Sequence, residues 1–248
     1  MSTIHLSVVV PVFNASEFIE GNVALLVEQL EKQHYPWELI LVDDGSYDNS
    51  LSVLNRITEK YQNIKVVSNR KNRGKGYAIR HGFGEARGRY LVFNDSDLAY
   101  QPDQIFRILE VLEKGADVAI ACRVLPESRY EISPVFFRYL YTRHLMGRFF
   151  NLLVRLWLLP ELLDTQAGLK GFRKEAAQAI FTKQTLERFS FDVEALYVAK
   201  KLGFIIHQVP IRFRYFHEKS TVNFFQDTVR MLRDLWKVKR NDHQGYYK

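Results

Sequence analysis

An α/β fold with a mainly parallel sheet flanked by helices is predicted by three features of this 248-residue sequence. Apolar, often β-branched runs alternate with helix-spaced patterns through the first half. Two of those runs end in paired acids, and the second half carries basic, amphipathic stretches. Such alternation builds one sheet with helices on its faces and places ligand-binding residues at the carboxyl ends of the strands.

The elements follow in order. Residues 7–13 form the first strand, and residues 16–33 a helix with Phe18, Ile19, Val23, Leu26, Val27 and Leu30 at helical spacing. Residues 39–42 form the second strand. Turn residues 43–46 follow, then a helix through Leu51, Leu54 and Ile57 from about Asn49. Residues 64–68 and 90–94 read as two more strands, with a helix from about Lys75 to Ala86 between them. Pro102 opens a further helix with Ile105, Ile108, Leu109 and Leu112 on one face, and Gly115 stops it. Residues 118–121 form the fifth strand.

Composition bounds the function. With 47% hydrophobic and 25% charged residues the chain is globular rather than disordered. The lone Cys122 excludes an internal disulfide and suits a reducing compartment. No uncharged apolar run approaches the ~18–20 residues of a membrane span, so a soluble or peripheral protein is expected. The net charge of +7 is unevenly placed. Residues 123–174 and 212–248 each carry nine basic and four acidic side chains, against 13 and 16 in residues 1–122. Such patches suit phosphates, nucleic acid or an anionic membrane face; solvated helix faces are the plain alternative.

Residues 134–159 interleave Phe136, Phe137, Phe149, Phe150 and Trp157 with Arg138, Arg143, Arg148 and Arg155, and no acid lies between Glu131 and Glu161. This composition suits a helix lying on a membrane surface, or a helix covering the sheet with its arginines turned outward. A C-terminal stripe of Phe224, Phe225, Val229, Leu232, Leu235 and Trp236, opposed by Arg230, Arg233, Lys237 and Arg240, allows the same two readings.

The chemistry concentrates at strand ends. In extended chain Asp95 and Asp97 point to one side, and two carboxylates with a small spacer suit a divalent cation that bridges phosphates. Asp43, Asp44 and Asp48 end another strand in the same way, about fifty residues earlier. Asn72-Arg73-Gly74-Lys75-Gly76 then opens a helix, where a cation is unfavourable unless an anion binds. The loop is not a Walker A motif, and the spacing of Gly82, Gly84 and Gly88 is not a dinucleotide fingerprint. The seven histidines lack metal-ligand spacing.

These segments resemble the ordered signatures of glycosyltransferase family 2: Val-Val-Val-Pro11-Val-Phe13-Asn14, Val42-Asp43-Asp44-Gly45-Ser46, Asn72-x-Gly74-Lys75-Gly76 and Asp95-x-Asp97. The stretches Asp164-Thr165-Gln166-x-Gly168-x-Lys170-x-Phe172-Arg173 and Phe191-Asp192-Val193-Glu194, then Gly203 and Val209-Pro210, resemble its dolichyl-phosphate glucosyl- and mannosyltransferase branch. The resemblance spans residues 6–222. It implies a GT-A domain over 1–222, and the apolar stripe beyond it reads as an amphipathic helix and tail over 223–248. It further implies a nucleotide-sugar donor (UDP-glucose favoured, GDP-mannose possible), Mg2+ or Mn2+, a polyprenyl-phosphate acceptor, and inversion at the anomeric carbon. The expected location is peripheral, on the cytoplasmic face of a membrane. No nucleic-acid partner is expected, because the carboxylates would have no role.

The resemblance also implies roles. Asp95 and Asp97 hold the metal, while Pro11, Phe13, Asn14, Asp43, Asp44 and Lys75 serve the donor. Arg123 binds the acceptor phosphate, helped by Arg138, Arg143 and Arg148. Gln166 and Lys170 either line the sugar pocket or support their strand. Asp192 orients the site, acts as a base if the acceptor is a hydroxyl, or merely caps its helix. The polar stretch 217–221 either closes over the diphosphate or is an ordinary loop. Two positions depart from the family pattern: Ala15 replaces the usual Glu, with Glu17 two residues on, and Ala121-Cys122-Arg123 replaces Gly-Ser-Arg. Two other readings remain: a family 2 transferase acting on a sugar hydroxyl, and a non-catalytic nucleotide-sugar-binding module.

Overall fold

Alternating side chains decide which face of the sheet each strand residue meets. A computed structural model describes residues 4–132, 150–215 and 224–248. Its strands are β1 (Leu6–Val12), β2 (Trp37–Asp43), β3 (Ile64–Ser68), β4 (Tyr90–Asn94), β5 (Val118–Cys122), β6 (Arg129–Ile132), β7 (Leu169–Arg173), β8 (Ile206–Pro210) and β9 (Arg212–Tyr215). Seven of them form one sheet in the order β3-β2-β1-β4-β7-β5-β8. All neighbours run parallel except β7, which is antiparallel to both β4 and β5. Strands β6 and β9 make a separate parallel pair.

Val9, Ile40, Val42, Leu91, Phe93, Val118 and Ile120 point to one face. There they pack with α3 (Lys75–Glu85), α5 (described over 150–157), α6 (Lys174–Thr182), α7 (Phe191–Lys201) and α8 (Phe224–His243). Their chain neighbours Val8, Val10, Leu39, Leu41, Val92 and Ala119 point to the other, against α1 (Ile19–Glu31), α2 (Ser50–Lys60) and α4 (Asp103–Glu113). A sheet buried on both faces reads as continuous apolar runs, which is why β1, β2, β4 and β5 are legible in the sequence. Strand β7, Leu-Lys-Gly-Phe-Arg, has no such run and is held by its two neighbours.

The strand order reverses between β1 and β4, which opens a crevice beyond their carboxyl ends. The C-terminal helix does not stand apart from the domain. Leu235 and Val238 of α8 belong to the core, while Leu232 and Trp236 are exposed. The side chains of Phe224, Phe225 and Val229 lie outside the described residues, as do Phe136, Phe137, Arg138, Arg143, Arg148 and residues 217–221. Among the described residues no helix is long and apolar enough to cross a membrane.

Candidate active site

Strand β4 delivers the first carboxylate pair into the crevice. Asp95 Oδ1 lies 2.6 Å from Lys75 Nζ at the start of α3. Asp97 is exposed and accepts the Ala99 N–H at 3.0 Å. Burial would lower the Lys75 pKa, but Asp95 and then Asp192 hold it above its ordinary value. A carboxylate of the protein thus stands beside the cation at the start of α3. Gly168 makes room for this pair: its carbonyl accepts the Asp95 N–H at 3.1 Å, and a Cβ there would fall 1.8 Å from Asp95 Oδ2.

The ends of β1 and β2 are tied to one another. Pro11 pairs with Val42 beyond the last β1–β4 partners, Val9 and Phe93, so its missing N–H costs no bond on the β4 side. Asn14 adopts φ +50, a left-handed conformation that Asn tolerates better than most residues. Its N–H donates to Ser46 Oγ at 3.0 Å, and its Oδ1 accepts the Tyr47 N–H at 2.8 Å. Phe13 meets the Tyr47 ring edge to face at 5.7 Å. Ala15 is buried and its N–H binds Ser50 Oγ at 2.8 Å, so the position where the family has Glu is part of the core. Burial raises the Asp48 pKa, but hydrogen bonds from Ser50 and Ser16 outweigh it and hold the carboxyl at about 2.

Asp44 organises the loop before α3. It accepts Asn69 Nδ2 at 2.8 Å, Asn72 Nδ2 at 3.0 Å, the Arg73 N–H at 3.1 Å and the Gly74 N–H at 2.6 Å. Four donors use the lone-pair positions of a carboxylate, so a nucleobase N–H reaches Asp44 only by displacing one of them. Desolvation raises its pKa against the Asn69, Arg73 and Gly74 bonds. Gly74 sits at φ +107, and a Cβ there would lie 2.7 Å from the Glu187 carbonyl. Asp43 is buried and accepts Ser46 N–H and Ser68 Oγ–H at 3.3 and 3.2 Å, a role internal to the turn.

The opposite wall is built from ion pairs. At the end of β5, Arg123 Nε and Nη2 donate to Asp164 at 2.7 and 2.9 Å, and its backbone N–H adds a third bond at 3.0 Å. Among the described residues the Nη1 donors and one Nη2 hydrogen take no part in this fork. Burial opposes the charge, but Tyr100 and Asp164 hold the guanidinium well above its ordinary pKa. Asp164 and Tyr100 were given no role from sequence. The signal for Asp164 was its place at the head of the Asp-Thr-Gln stretch; Tyr100 gave none. Gln166 donates its N–H to Asp164 Oδ1 at 3.2 Å, and its buried Nε2 has no partner among the described residues.

Lys170 of β7 is fully buried, with Nζ 2.6 Å from Asp192 Oδ1 and 2.5 Å from the Ala167 carbonyl. In this arrangement it ties its strand to Asp192. Asp192 does not cap α7: it lies in the first turn, after the capping position at Ser190. Burial pushes the Asp192 carboxyl up and the Lys170 ammonium down, each against the attraction of its partner. Lys75 Nζ and Lys170 Nζ both lie 5.5 Å from the Phe93 ring centroid, so one aromatic side chain sits beside both ammonium groups.

No cluster of three or more His, Cys, Asp or Glu side chains suited to a metal occurs among the described residues. Asp95 and Asp97 offer hard oxygen ligands beside an open crevice, which fits a Mg2+ or Mn2+ ion whose remaining positions are filled by water and substrate phosphates.

A sheet with its strand reversal, paired acids at β4 and a cation-bearing wall define a GT-A glycosyltransferase. The particular family is glycosyl transferase family 2, to which the chain belongs: its model matches residues 7–181. The chain is 33% identical to human dolichyl-phosphate beta-glucosyltransferase over 94% of its own length and 74% of that protein's. It is 28% identical to the Dictyostelium discoideum protein of the same name, over 100% of this chain and 78% of that one. Among solved structures, Mycobacterium tuberculosis glucosyl-3-phosphoglycerate synthase, in complex with Mn2+, UDP-glucose and phosphoglyceric acid, has a TM-score of 0.68. It is 20% identical, covering 95% of this chain and 78% of that one, and shares the fold.

Proposed function

We propose that this chain transfers glucose from UDP-glucose, with inversion at the anomeric carbon, to a polyprenyl or dolichyl phosphate at the cytoplasmic face of a membrane. The observation that carries this reading is Arg123, whose guanidinium is gripped by Asp164 and makes no other hydrogen bond among the described residues, with the buried Gln166 Nε2 likewise without a partner among them. The likeness to the human and Dictyostelium dolichyl-phosphate beta-glucosyltransferases supports glucose and a dolichyl-phosphate acceptor over GDP-mannose.

The chemistry asks little of a base. A phosphate monoester with a second pKa near ~6 is already an anionic nucleophile at pH 7, so it needs orientation more than deprotonation. Arg123 provides that orientation through paired, charge-assisted contacts. A divalent ion on Asp95 and Asp97 would supply Lewis-acid neutralisation of the leaving diphosphate. The Asp44 loop and Lys75 shape the donor side. Transfer to a sugar hydroxyl would require Asp192 as base, and that carboxylate is 4% exposed and already paired with Lys170.

The test incubates purified protein with labelled UDP-glucose or GDP-mannose, Mg2+ or Mn2+, and either polyprenyl phosphate or a soluble oligosaccharide. Glucose should appear on the lipid phosphate and nowhere else. Asp97→Asn, like excess chelator, should abolish transfer with the melting temperature unchanged, since Asp97 is exposed. Label on the oligosaccharide alone, or full activity in chelator, would overturn the reading.

A further inference from the structure

Asp44 holds the loop before α3 through four donors, and one of those donors is itself held from α3. A carboxylate ringed by the Asn72 amide, the Arg73 and Gly74 N–H groups and Asn69 has no hydrogen to give. Asn69 must therefore turn its Nδ2 toward it, at 2.8 Å. The Asn69 Oδ1 is thereby aimed at His81, whose Nδ1 lies 2.8 Å away. An amide oxygen only accepts, so the neutral imidazole carries its proton on Nδ1.

The backbone leaves the direction of this amide to the side chains. Asn69 is buried just after β3, and its N–H donates to the Asp43 carbonyl at 2.8 Å. Were the amide reversed, its oxygen would stand 2.8 Å from Asp44 Oδ1, acceptor against acceptor, and its nitrogen would face the His81 N–H, donor against donor. His81 is half-buried on α3, with its ring 5.9 Å from that of Tyr77 one turn earlier. The bonds close a circuit. It runs from α3 through Asn69 after β3 to Asp44 after β2, then back through the Arg73 and Gly74 N–H groups to the loop that starts α3. The next residue is Lys75, the partner of Asp95.

We propose that His81 is a positioning residue for the nucleotide-sugar side of the cleft: its Nδ1–H fixes the Asn69 amide, and through it the Asp44 carboxylate that anchors residues 72–74. It acts through Asn69 and Asp44 rather than by contact with substrate. The service of that loop to a donor rests on the reaction proposed above; the circuit of bonds does not.

Two measurements test this. Long-range proton–nitrogen spectra of the isotope-labelled protein in alkaline buffer, with the ring assigned by its loss in His81→Leu, should show the His81 proton on Nδ1. Calorimetry with UDP and steady-state kinetics then read the consequence. His81→Leu should weaken UDP binding and raise the KM for UDP-glucose roughly two- to tenfold, the loss expected of one neutral hydrogen bond, with kcat and the KM for the lipid phosphate unchanged. His81→Asn puts an amide N–H where the Nδ1–H stood and should restore both values. The double variant His81→Leu/Asn69→Ala should bind UDP no more weakly than Asn69→Ala alone, because the first residue acts through the second. A proton on Nε2, unchanged UDP affinity in His81→Leu, no rescue by asparagine, or additive losses in the double variant overturns the proposal. So does a His81→Leu loss that falls equally on kcat and on both substrates, which marks a general weakening of the fold. A wild type that carries the proton on Nδ1 yet binds no UDP supports the circuit and overturns the donor reading on which its role rests.

Discussion

The two walls of the cleft are held together by different kinds of bond. Where β1, β2 and β3 end, the carboxylates and amides are satisfied by backbone N–H, amide and hydroxyl groups: four on Asp44, and on Asp48 the Ser16 and Ser50 N–H groups with the Ser50 hydroxyl. On the far wall the partners are opposite charges joined across the fold, Arg123 with Asp164 and Lys170 with Asp192. A carboxylate that loses one of several N–H or O–H donors keeps the others. A buried charge stripped of its ionic partner is left uncompensated. The first wall can therefore adjust around a ligand, while the second is stiff and costly to disturb.

The largest expected effect breaks the second wall. Lys170→Met leaves Asp192 buried without its cation and should cost about 3–5 kcal/mol of stability. The sign with pH follows from Asp192. Its pKa is already raised by burial, and losing Lys170 raises it further. The unfolded carboxyl ionises near its ordinary value while the folded one resists, so the variant's deficit should grow as pH rises above about 4. Denaturation midpoints at acid and neutral pH read this directly, and the double variant Lys170→Met/Asp192→Leu should recover much of the loss. A deficit independent of pH would show that Asp192 does not carry the charge.

A smaller effect separates the walls by ligand. Arg123→Lys keeps a cation beside Asp164 but removes the planar fork, and should cost about 1.5–3 kcal/mol in use of the lipid phosphate. Calorimetry with UDP should show unchanged affinity. Equal loss for donor and acceptor would place Arg123 on the donor wall.

The same contrast explains what could be read beforehand. The first wall was legible because each motif is contiguous and follows an apolar strand: residues 11–14 after β1, 43–48 after β2, 72–76 before α3. The pairing of Asp95 with Lys75, and the use of Asp44 as the anchor of a loop, depend on three strands stopping at one level, which no single stretch encodes. The second wall was only half legible. Arg123 and Asp192 stood out by resemblance, but their partners lie 41 and 22 residues away. Whether Lys170 lines a pocket or supports its strand is open in the sequence, and its burial follows only once β7 is placed between β4 and β5. Along α5 the aromatic and basic residues were visible, but only the helix phase divides Phe150 and Val154, which are core, from Leu152 and Leu156, which are surface.

The smallest effect tests the adjustable wall at Asn14. This residue does two jobs: its Oδ1 accepts the Tyr47 N–H, and its backbone holds a left-handed conformation at φ +50. Asn14→Gly keeps the conformation and loses the acceptor, which costs about 0.5–1.5 kcal/mol at most for a neutral bond. Asn14→Ala loses the acceptor and adds the left-handed penalty of roughly 1–2 kcal/mol. Alanine should therefore be worse than glycine in stability. Because the strain falls on the contact between residues 11–14 and 43–48, both should raise the KM for UDP-glucose several-fold without changing that for the lipid phosphate. If glycine proves as damaging as alanine, the Tyr47 bond rather than the backbone conformation sets the loop. If the acceptor KM rises as well, the two walls are coupled more tightly than their bonding implies, through contacts such as the one beside α7. There Arg73 lies on Tyr77 and pairs with Glu187, four residues before the start of α7.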